Sequence, residues 1–85
     1  MSIPAQENFS FTKKQGQYLA YIHYYTKLNG YPPAHTDLQA YFKVTPPSVN
    51  QMIVALEKKG LIQKQPRTAR SISVLVSTDK LPELE

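Results

Sequence analysis

The sequence predicts a mainly α fold with a small β-hairpin after three helices. Three stretches carry apolar residues at helical spacing, and each lies between the start and stop signals that helices use. The β-branched run at 71–76 is typical of a strand instead. The chain has 85 residues and a hydrophobic fraction of 41%, which suits one small folded domain.

The first helix is predicted from Thr12 to Leu28. Thr12 and Gln15 have the spacing of a capping box, in which each side chain bonds the backbone N–H of the other residue. Gly30 follows as a stop signal, because glycine readily adopts the left-handed conformation. Gly16 lies inside this helix at a cost of roughly 1 kcal/mol relative to alanine. We therefore expect Gly16 to allow the close approach of another element.

A proline pair leads into the second helix. Pro32 and Pro33 favour an extended connector, since a proline restricts the residue before it. We expect the helix cap between Pro33 and Thr36. Three apolar residues then follow at the spacing i, i+3, i+4: Leu38, Tyr41 and Phe42. Residues 43–45 predict a tight turn after this helix.

A second proline pair starts the third helix, which is predicted over 45–59. Thr45 suits the N-cap, and Pro46 suits the first helical position, where its missing N–H costs nothing. Four apolar residues form the buried stripe: Val49, Met52, Ile53 and Leu56. Lysines in the last turn and Gly60 end the helix. We also expect free N–H groups at its start to attract a phosphate.

Two predicted strands follow, at 61–65 and 71–76, with the basic stretch 66–70 as the loop of a hairpin. Two helices joined by a turn of three or four residues form a helix-turn-helix, and a hairpin with a basic tip makes it a winged one. The predicted fold is therefore a winged helix-turn-helix with three helices plus a two-stranded wing. Its predicted organisation is a leader or arm at 1–11, the domain at 12–76 and an acidic C-terminal tail at 77–85.

The predicted domain is strongly basic. Between Thr12 and Val76 there are nine lysines and arginines against two carboxylates, a net charge of +7, whereas the whole chain carries +4. This imbalance favours a polyanionic partner. The N-terminus lacks the pattern of a signal peptide, and the apolar runs are too short to span a bilayer. We expect a cytoplasmic, nucleoid-associated protein without a membrane partner.

Catalytic and metal sites are not expected. The chain has no cysteine, which excludes disulfides and thiolate chemistry. His23 and His35 fall on different predicted elements without a cluster of carboxylates, so their spacing does not indicate a metal site. The sequence shows no nucleophile–base pair and no phosphate-binding loop. We predict no enzyme activity, no metal and no small-molecule cofactor.

The polar face of the third helix predicts DNA binding. The second helix of a helix-turn-helix places its N-terminal side chains in the major groove, where asparagine and glutamine pair with adenine and serine bonds several bases. Four side chains lie away from the apolar stripe: Ser48, Asn50, Gln51 and Val54. Arg67 and Arg70 in the wing suit phosphate contacts. The predicted partner is double-stranded DNA.

Residues 12–76 resemble the winged helix-turn-helix of bacterial regulators, and specifically the N-terminal DNA-binding domain of LexA-type repressors. The resemblance lies in "TKKQGQYLAYI" at 12–22, "NGYPPAHTDL" at 29–38 and "TPPSVNQMIVALEKKGLI" at 45–62. The paired prolines after glycine are its more specific marker. It implies base-reading positions at Pro47, Ser48, Asn50 and Gln51. It also implies a phosphate-contacting wing at Lys64, Arg67, Thr68 and Arg70.

Three departures from the family pattern affect what the resemblance implies. Lys43 stands in the turn where family members usually have glycine. Asn50 and Gln51 replace acidic residues that are often found in the family's recognition helix, so the operator should differ. The protease domain with its Ser/Lys pair is absent up to Glu85, so a self-cleaving, damage-sensing role is not expected.

Other interpretations of the sequence are open. A winged helix can instead be a protein-interaction module that docks an acidic partner, and salt-dependent binding to random duplex DNA separates these functions. An adaptor encoded by a mobile element is a third possibility. Since one small module makes few contacts, we also consider a homodimer. Its interface would come from a leader with Phe9 and Phe11, from the tyrosines of the first helix, or from the tail.

Overall fold

The computed structural model describes residues 10–85, and the predicted role of Phe9 lies outside this part of the chain. The described elements follow in the order α1 Lys13–Asn29, α2 His35–Phe42, α3 Pro46–Lys58, β1 Ile62–Gln63 and β2 Ser73–Val74. A short 3₁₀ helix, Thr78–Lys80, follows them. The two strands pair antiparallel, with Ile62 opposite Val74. The predicted fold class, a winged helix-turn-helix, is confirmed.

Local signals define the ends of α1 as the sequence predicts. The backbone N–H of Gln15 donates to Thr12 Oγ1 over 3.1 Å, and the N–H of Thr12 donates to Gln15 Oε1 over 3.0 Å. These two bonds complete the predicted capping box. Gly30 ends the helix with a φ of 83°, in the left-handed region that favours glycine.

The turn between α2 and α3 also needs a left-handed residue, and Lys43 provides it with a φ of 56°. An L-residue in this conformation crowds its Cβ against the carbonyl oxygen, at a cost of about 1–2 kcal/mol. This requirement explains why glycine suits the position. Helix α3 begins after the N-cap Thr45, whose Oγ1 accepts the N–H of Ser48 over 3.3 Å.

The core lies where the three helices meet the hairpin. Tyr18 of α1 is 2% exposed and stacks on Phe42 of α2, with the ring centroids 4.0 Å apart. The remaining large buried apolar side chains come from all three helices and the hairpin: Leu19, Ile22, Leu38, Val49, Ile53, Leu56, Leu61, Ile62, Ile72 and Val76. Three members of the predicted apolar stripe on α3 are buried, and Met52 is half-buried.

The strands of the hairpin are shorter than the predicted 61–65 and 71–76. The inner ends of the predicted strands belong instead to the loop, whose shape depends on hydrogen bonds to the side chain of Ser71. Ser71 Oγ accepts the N–H of Gln65 over 3.0 Å and lies 2.8 Å from the carbonyl oxygen of Thr68, to which it donates. Pro66 lacks an N–H, and Arg67 and Arg70 have positive φ values, so the ladder cannot continue here.

Residues 77–85 pack along α1. Gln17 uses both ends of its amide: Nε2 donates to the carbonyl of Glu83 over 2.9 Å, and Oε1 accepts the N–H of Glu85 over 2.8 Å. Tyr41 Oη donates to the carbonyl of Glu85 over 2.8 Å. Leu81 is half-buried against the core. No described helix has the length and apolar character needed to cross a membrane.

Candidate nucleic-acid interface

Helix α3 separates a buried stripe from an exposed face. Val49 and Ile53 are both 0% exposed and hold the helix against the core. The five residues predicted on the reading face are all exposed: Pro47, Ser48, Asn50, Gln51 and Val54. Helical geometry places them opposite or beside the buried stripe. Over residues 47–54 the outward face therefore carries hydroxyl and amide groups between two apolar residues, Pro47 and Val54, and no formal charge.

The expectation of free N–H groups at the start of α3 is wrong for residues 46–49. Pro46 and Pro47 have no N–H to offer. The N–H of Ser48 donates to Thr45 Oγ1, and the N–H of Val49 donates to the carbonyl of Thr45 over 3.1 Å. The first turn therefore has no backbone donor left for a phosphate, although the helix dipole remains. Recognition by this end of α3 depends on its side chains.

A shallow groove runs between the start of α1 and the exposed side of α3, with a volume of about 320 Å³. Lys14 lines it from α1, while Ser48 and Gln51 line it from α3. The arrangement places a cation of α1 near two predicted reading residues. In the sequence, Lys13 and Lys14 oppose the helix dipole at the start of α1, which hints at a contact with the DNA backbone, and the groove places Lys14 beside the reading residues.

The wing residues form a second group, separate from the α3 face. Lys64, Arg67, Thr68 and Arg70 line a cleft of about 310 Å³ between the wing and the beginning of α2. His35, the first residue of α2, lines the same cleft. Three permanent cations and a histidine therefore surround this space.

Partial burial, with a smaller contribution from the positive charge of Lys64, lowers the pKa of His35. A neutral imidazole is therefore favoured at neutral pH, and an anion in the cleft would favour the charged form. From the sequence, His35 is considered only as a possible metal ligand and is not predicted to lie in the interface. Its place opposite the wing depends on packing between α2 and a loop some 30 positions further along the chain, so spacing along the sequence gave no signal.

Arg67 and Arg70 have different surroundings although both lie in the wing with positive φ values, 59° and 56°. Arg67 is exposed, and its guanidinium makes no hydrogen bond or ion pair within the described part of the chain. Arg70 Nη1, by contrast, donates to Asp37 Oδ2 and to Tyr25 Oη, each over 3.0 Å. The carbonyl of Pro32 lies 3.3 Å from the same nitrogen.

Asp37 links two parts of the helix-turn-helix region. Its Oδ2 accepts the backbone N–H of Ala34 over 2.8 Å, at the cap of α2, as well as the bond from Arg70. The Ala34 N–H is the main reason why the pKa of Asp37 lies below its ordinary value, and Arg70 and the Tyr25 hydroxyl contribute in the same direction. The carboxylate is therefore ionised at neutral pH.

The nine predicted contact residues thus divide into five on α3 and four around the wing cleft. A reading helix with a polar outward face beside a basic hairpin defines a class of protein, the winged helix-turn-helix domains that bind DNA. Comparison with known proteins identifies the family within this class. Residues 9–71 match the family described as the LexA DNA binding domain, and the chain belongs to that family.

Similar proteins agree with this assignment. The chain is 42% identical to the LexA repressor of Thermosipho melanesiensis over 64 residues, which cover 75% of this chain and 32% of that protein. It is 41% identical to the LexA repressor of Thermosipho africanus over the same shares of the two chains. It is 36% identical to the LexA repressor of Thermotoga neapolitana over 66 residues. The chain spans about a third of the length of these relatives.

Proposed function

We propose that this chain recognises specific sequences in double-stranded DNA and regulates transcription, with α3 in the major groove and the wing on the phosphate backbone. The observation that carries the proposal is the outward face of α3 over residues 47–54, where uncharged hydrogen-bonding side chains lie opposite the buried residues Val49 and Ile53. Amide and hydroxyl groups match the donors and acceptors of base edges.

Base reading is assigned to the side chains of the first two turns. Asn50 and Gln51 are suited to bidentate bonds with adenine, and Ser48 to a single bond with several bases. Pro47 and Val54 have no donor, so we propose that they make apolar contacts such as those to a thymine methyl group. The bonded N–H groups at the start of α3 support this assignment, because sequence recognition there depends on side chains.

Phosphate binding is assigned to the wing cleft. Lys64, Arg67 and Thr68 contribute two cations and a hydroxyl to the lining of the cleft. Arg70 lies partly exposed at the same cleft and adds its charge to the local field. We add His35 to the predicted contacts because it faces this group from α2. These contacts position the protein but carry no base information, so they act alike on all sequences.

We further propose that the regulator binds as a homodimer at two half-sites, since a single module of this size buries too little DNA surface for strong specificity. The tail and Phe11, considered above as an interface, already pack along α1. Exposed tyrosines provide another surface, with Tyr24 and Tyr31 37% and 48% exposed. Sedimentation at high concentration with operator DNA tests this proposal, and one protein per site contradicts it.

A random-oligonucleotide selection read by sequencing tests the main proposal. We expect an enriched motif, and binding to unrelated duplex DNA that weakens steeply as the salt concentration rises, because each neutralised phosphate releases counterions. We expect no catalytic turnover of the DNA, and a place of action in the cytoplasm with the nucleoid. A flat salt dependence together with an unenriched pool contradicts the proposal and favours a protein-interaction module.

A further inference from the structure

Arg70 connects the wing to three separate parts of the helical domain. Its Nη1 bonds Tyr25 on α1, the carbonyl of Pro32 in the connector and Asp37 on α2. Its guanidinium carbon also lies 5.0 Å from the centre of the Tyr31 ring, within the range of a cation–π contact. The hydrogen-bonded partners lie 33 to 45 positions away along the chain. Within the described hydrogen bonds, no other side chain of the wing loop reaches the helices.

The β-ladder contributes little to the orientation of the wing. Only two residue pairs join β1 to β2, and the loop between them is held by its own bonds through Ser71. Such bonds fix the shape of the loop but do not fix its angle to α3. A short two-stranded hairpin is marginally stable by itself. The direction in which the loop extends must therefore depend on contacts with the helices.

The ion pair is poorly suited to stabilise the fold as such. The side chains of Arg70 and Asp37 are 40% and 28% exposed. Solvent screens exposed pairs of this kind, so they contribute little to the free energy of unfolding. The geometry is more specific than that contribution suggests, because the two protons of one guanidinium nitrogen are shared among three acceptors from α1, the connector and α2. A role in orienting the wing explains why these bonds have a specific geometry although the pair contributes little to stability.

We infer that Asp37, which no sequence pattern assigned to the interface, is a positioning residue for DNA binding. By holding Arg70, it aligns the wing with α3 so that both elements meet one duplex at the same time. Binding then avoids the cost of ordering a loop at the moment of contact. This inference rests on the proposed DNA-binding function, and it gives Arg70 a positioning role beyond its own charge.

We expect Asp37→Asn to weaken DNA binding, although the loss of a negative charge by itself would strengthen it. The substitution removes a negative charge near the basic cleft and weakens the hold on Arg70, because the oxygen that Arg70 shares with the Ala34 N–H then belongs to a neutral amide. If the wing acted only through its net charge, the substitution would strengthen binding to any duplex. If Asp37 positions the wing, the same substitution weakens binding. The asparagine side chain would retain an oxygen for the Ala34 N–H, so the cap of α2 is preserved.

The experiment compares the binding of Asp37→Asn and Asp79→Asn to random duplex DNA at one salt concentration. Asp79 is exposed in the 3₁₀ helix, and its substitution changes the net charge equally. We expect affinity to fall about threefold to tenfold for Asp37→Asn, as coupling energies between contacting residues imply. Asp79→Asn should bind as tightly as the wild type or slightly tighter. Equal or tighter binding by Asp37→Asn overturns the inference.

Two further measurements keep the test decisive. NMR order parameters of the backbone amides of Arg67 and Thr68 should fall in Asp37→Asn while those of α3 do not change, and unaltered wing values overturn the inference. Tyr25→Phe removes one acceptor of Arg70 without changing any charge, and should weaken binding in the same direction; it carries the test if Asp37→Asn does not fold. Wild-type protein without salt-dependent duplex binding would instead refute the underlying function.

Discussion

Gly16 of α1 lies directly beneath Pro82 of the C-terminal segment. A Cβ atom at Gly16 would lie 3.0 Å from Pro82 Cγ and 2.9 Å from Cε1 of the Phe11 ring. The sequence-based expectation that Gly16 permits a close approach is thus confirmed, and the approaching residues come from segments on both sides of the predicted domain in the chain.

Gly16→Ala should therefore destabilise the protein despite the better helix propensity of alanine. Propensity favours alanine by roughly 1 kcal/mol, whereas overpacking costs typically about 1–3 kcal/mol. We expect a net loss of about 1 kcal/mol in the free energy of unfolding, measured by urea denaturation. Gly16→Ala combined with Pro82→Ala should recover part of it. If Gly16→Ala alone were more stable than the wild type, Phe11 and Pro82 would have to move aside at little cost.

Lys43→Gly should stabilise the protein. The left-handed φ of 56° costs an L-residue about 1–2 kcal/mol, and glycine loses about 0.5–1 kcal/mol through its greater freedom when unfolded. The expected net gain is about 0.5–1 kcal/mol, measurable as a shift of the urea midpoint. Lys43→Asn should give a smaller gain, since asparagine tolerates this conformation better than lysine. A loss of stability in both variants would contradict the strain argument.

Asn50→Ala and Arg67→Ala should have different effects on DNA binding. Asn50→Ala should cost roughly 1–3 kcal/mol on the selected site and relax preference at one base pair, because it removes a base contact. Arg67→Ala should weaken all duplexes alike and reduce the salt slope by about one. Lys80→Ala removes a cation in the 3₁₀ helix and serves as the control. Unchanged sequence preference in Asn50→Ala would exclude base reading by this residue.

DNA binding should strengthen as the pH falls from about 7 towards about 5, across the range in which histidine titrates. In the free protein the lowered pKa leaves His35 mostly neutral at neutral pH. A phosphate in the wing cleft would stabilise the protonated imidazole, so that binding takes up a proton and the affinity rises in acid. His35→Gln should flatten this dependence in binding titrations at constant salt, whereas His23→Gln should retain it. A slope that His35→Gln leaves intact would remove His35 from the interface.

Stability in acid should depend on Asp37, chiefly through the bond that its carboxylate accepts from the Ala34 N–H rather than through the exposed ion pair with Arg70. Its pKa in the folded protein lies below the ordinary value of 3.8, so its contribution is complete above about pH 4 and is lost as the pH falls through the folded-state pKa. Between about pH 5 and about pH 2 the free energy of unfolding of the wild type should therefore fall more steeply than that of Asp37→Asn. Asp79→Asn is the matched control, and equal slopes in all three proteins would show that Asp37 does not contribute.

Much of the fold follows from signals that act over a few residues. Thr12 and Gln15 form hydrogen bonds across a single turn, and α3 begins at Pro46, directly after its N-cap Thr45, as predicted. The apolar stripe of α3 is predictable for the same reason, because helical periodicity places Val49 and Ile53 on one side. The predicted reading face consists of residues of α3 that lie outside that stripe.

Other parts of the candidate site depend on contacts between distant residues. The length of the strands depends on Ser71 and on the positive φ of Arg67 and Arg70, which no run of β-branched residues reveals. His35 joins the wing cleft only through packing between elements. The missing N–H donors at the start of α3 are predictable only in part. Pro46 and Pro47 are visible in the sequence, but only the structure shows that the N–H of Ser48 bonds Thr45 Oγ1.

The sequence by itself determined the order of the elements, the ends of α1 and α3 and the polar face of α3, since each depends on bonds within a turn or on helical period. The tertiary structure alone decided that Asp37 holds Arg70, that His35 faces the wing, and that residues 77–85 lie along α1. These contacts join residues that lie far apart along the chain. Such pairs meet only after the core has fixed how the helices and the hairpin pack, and no local pattern encodes that arrangement.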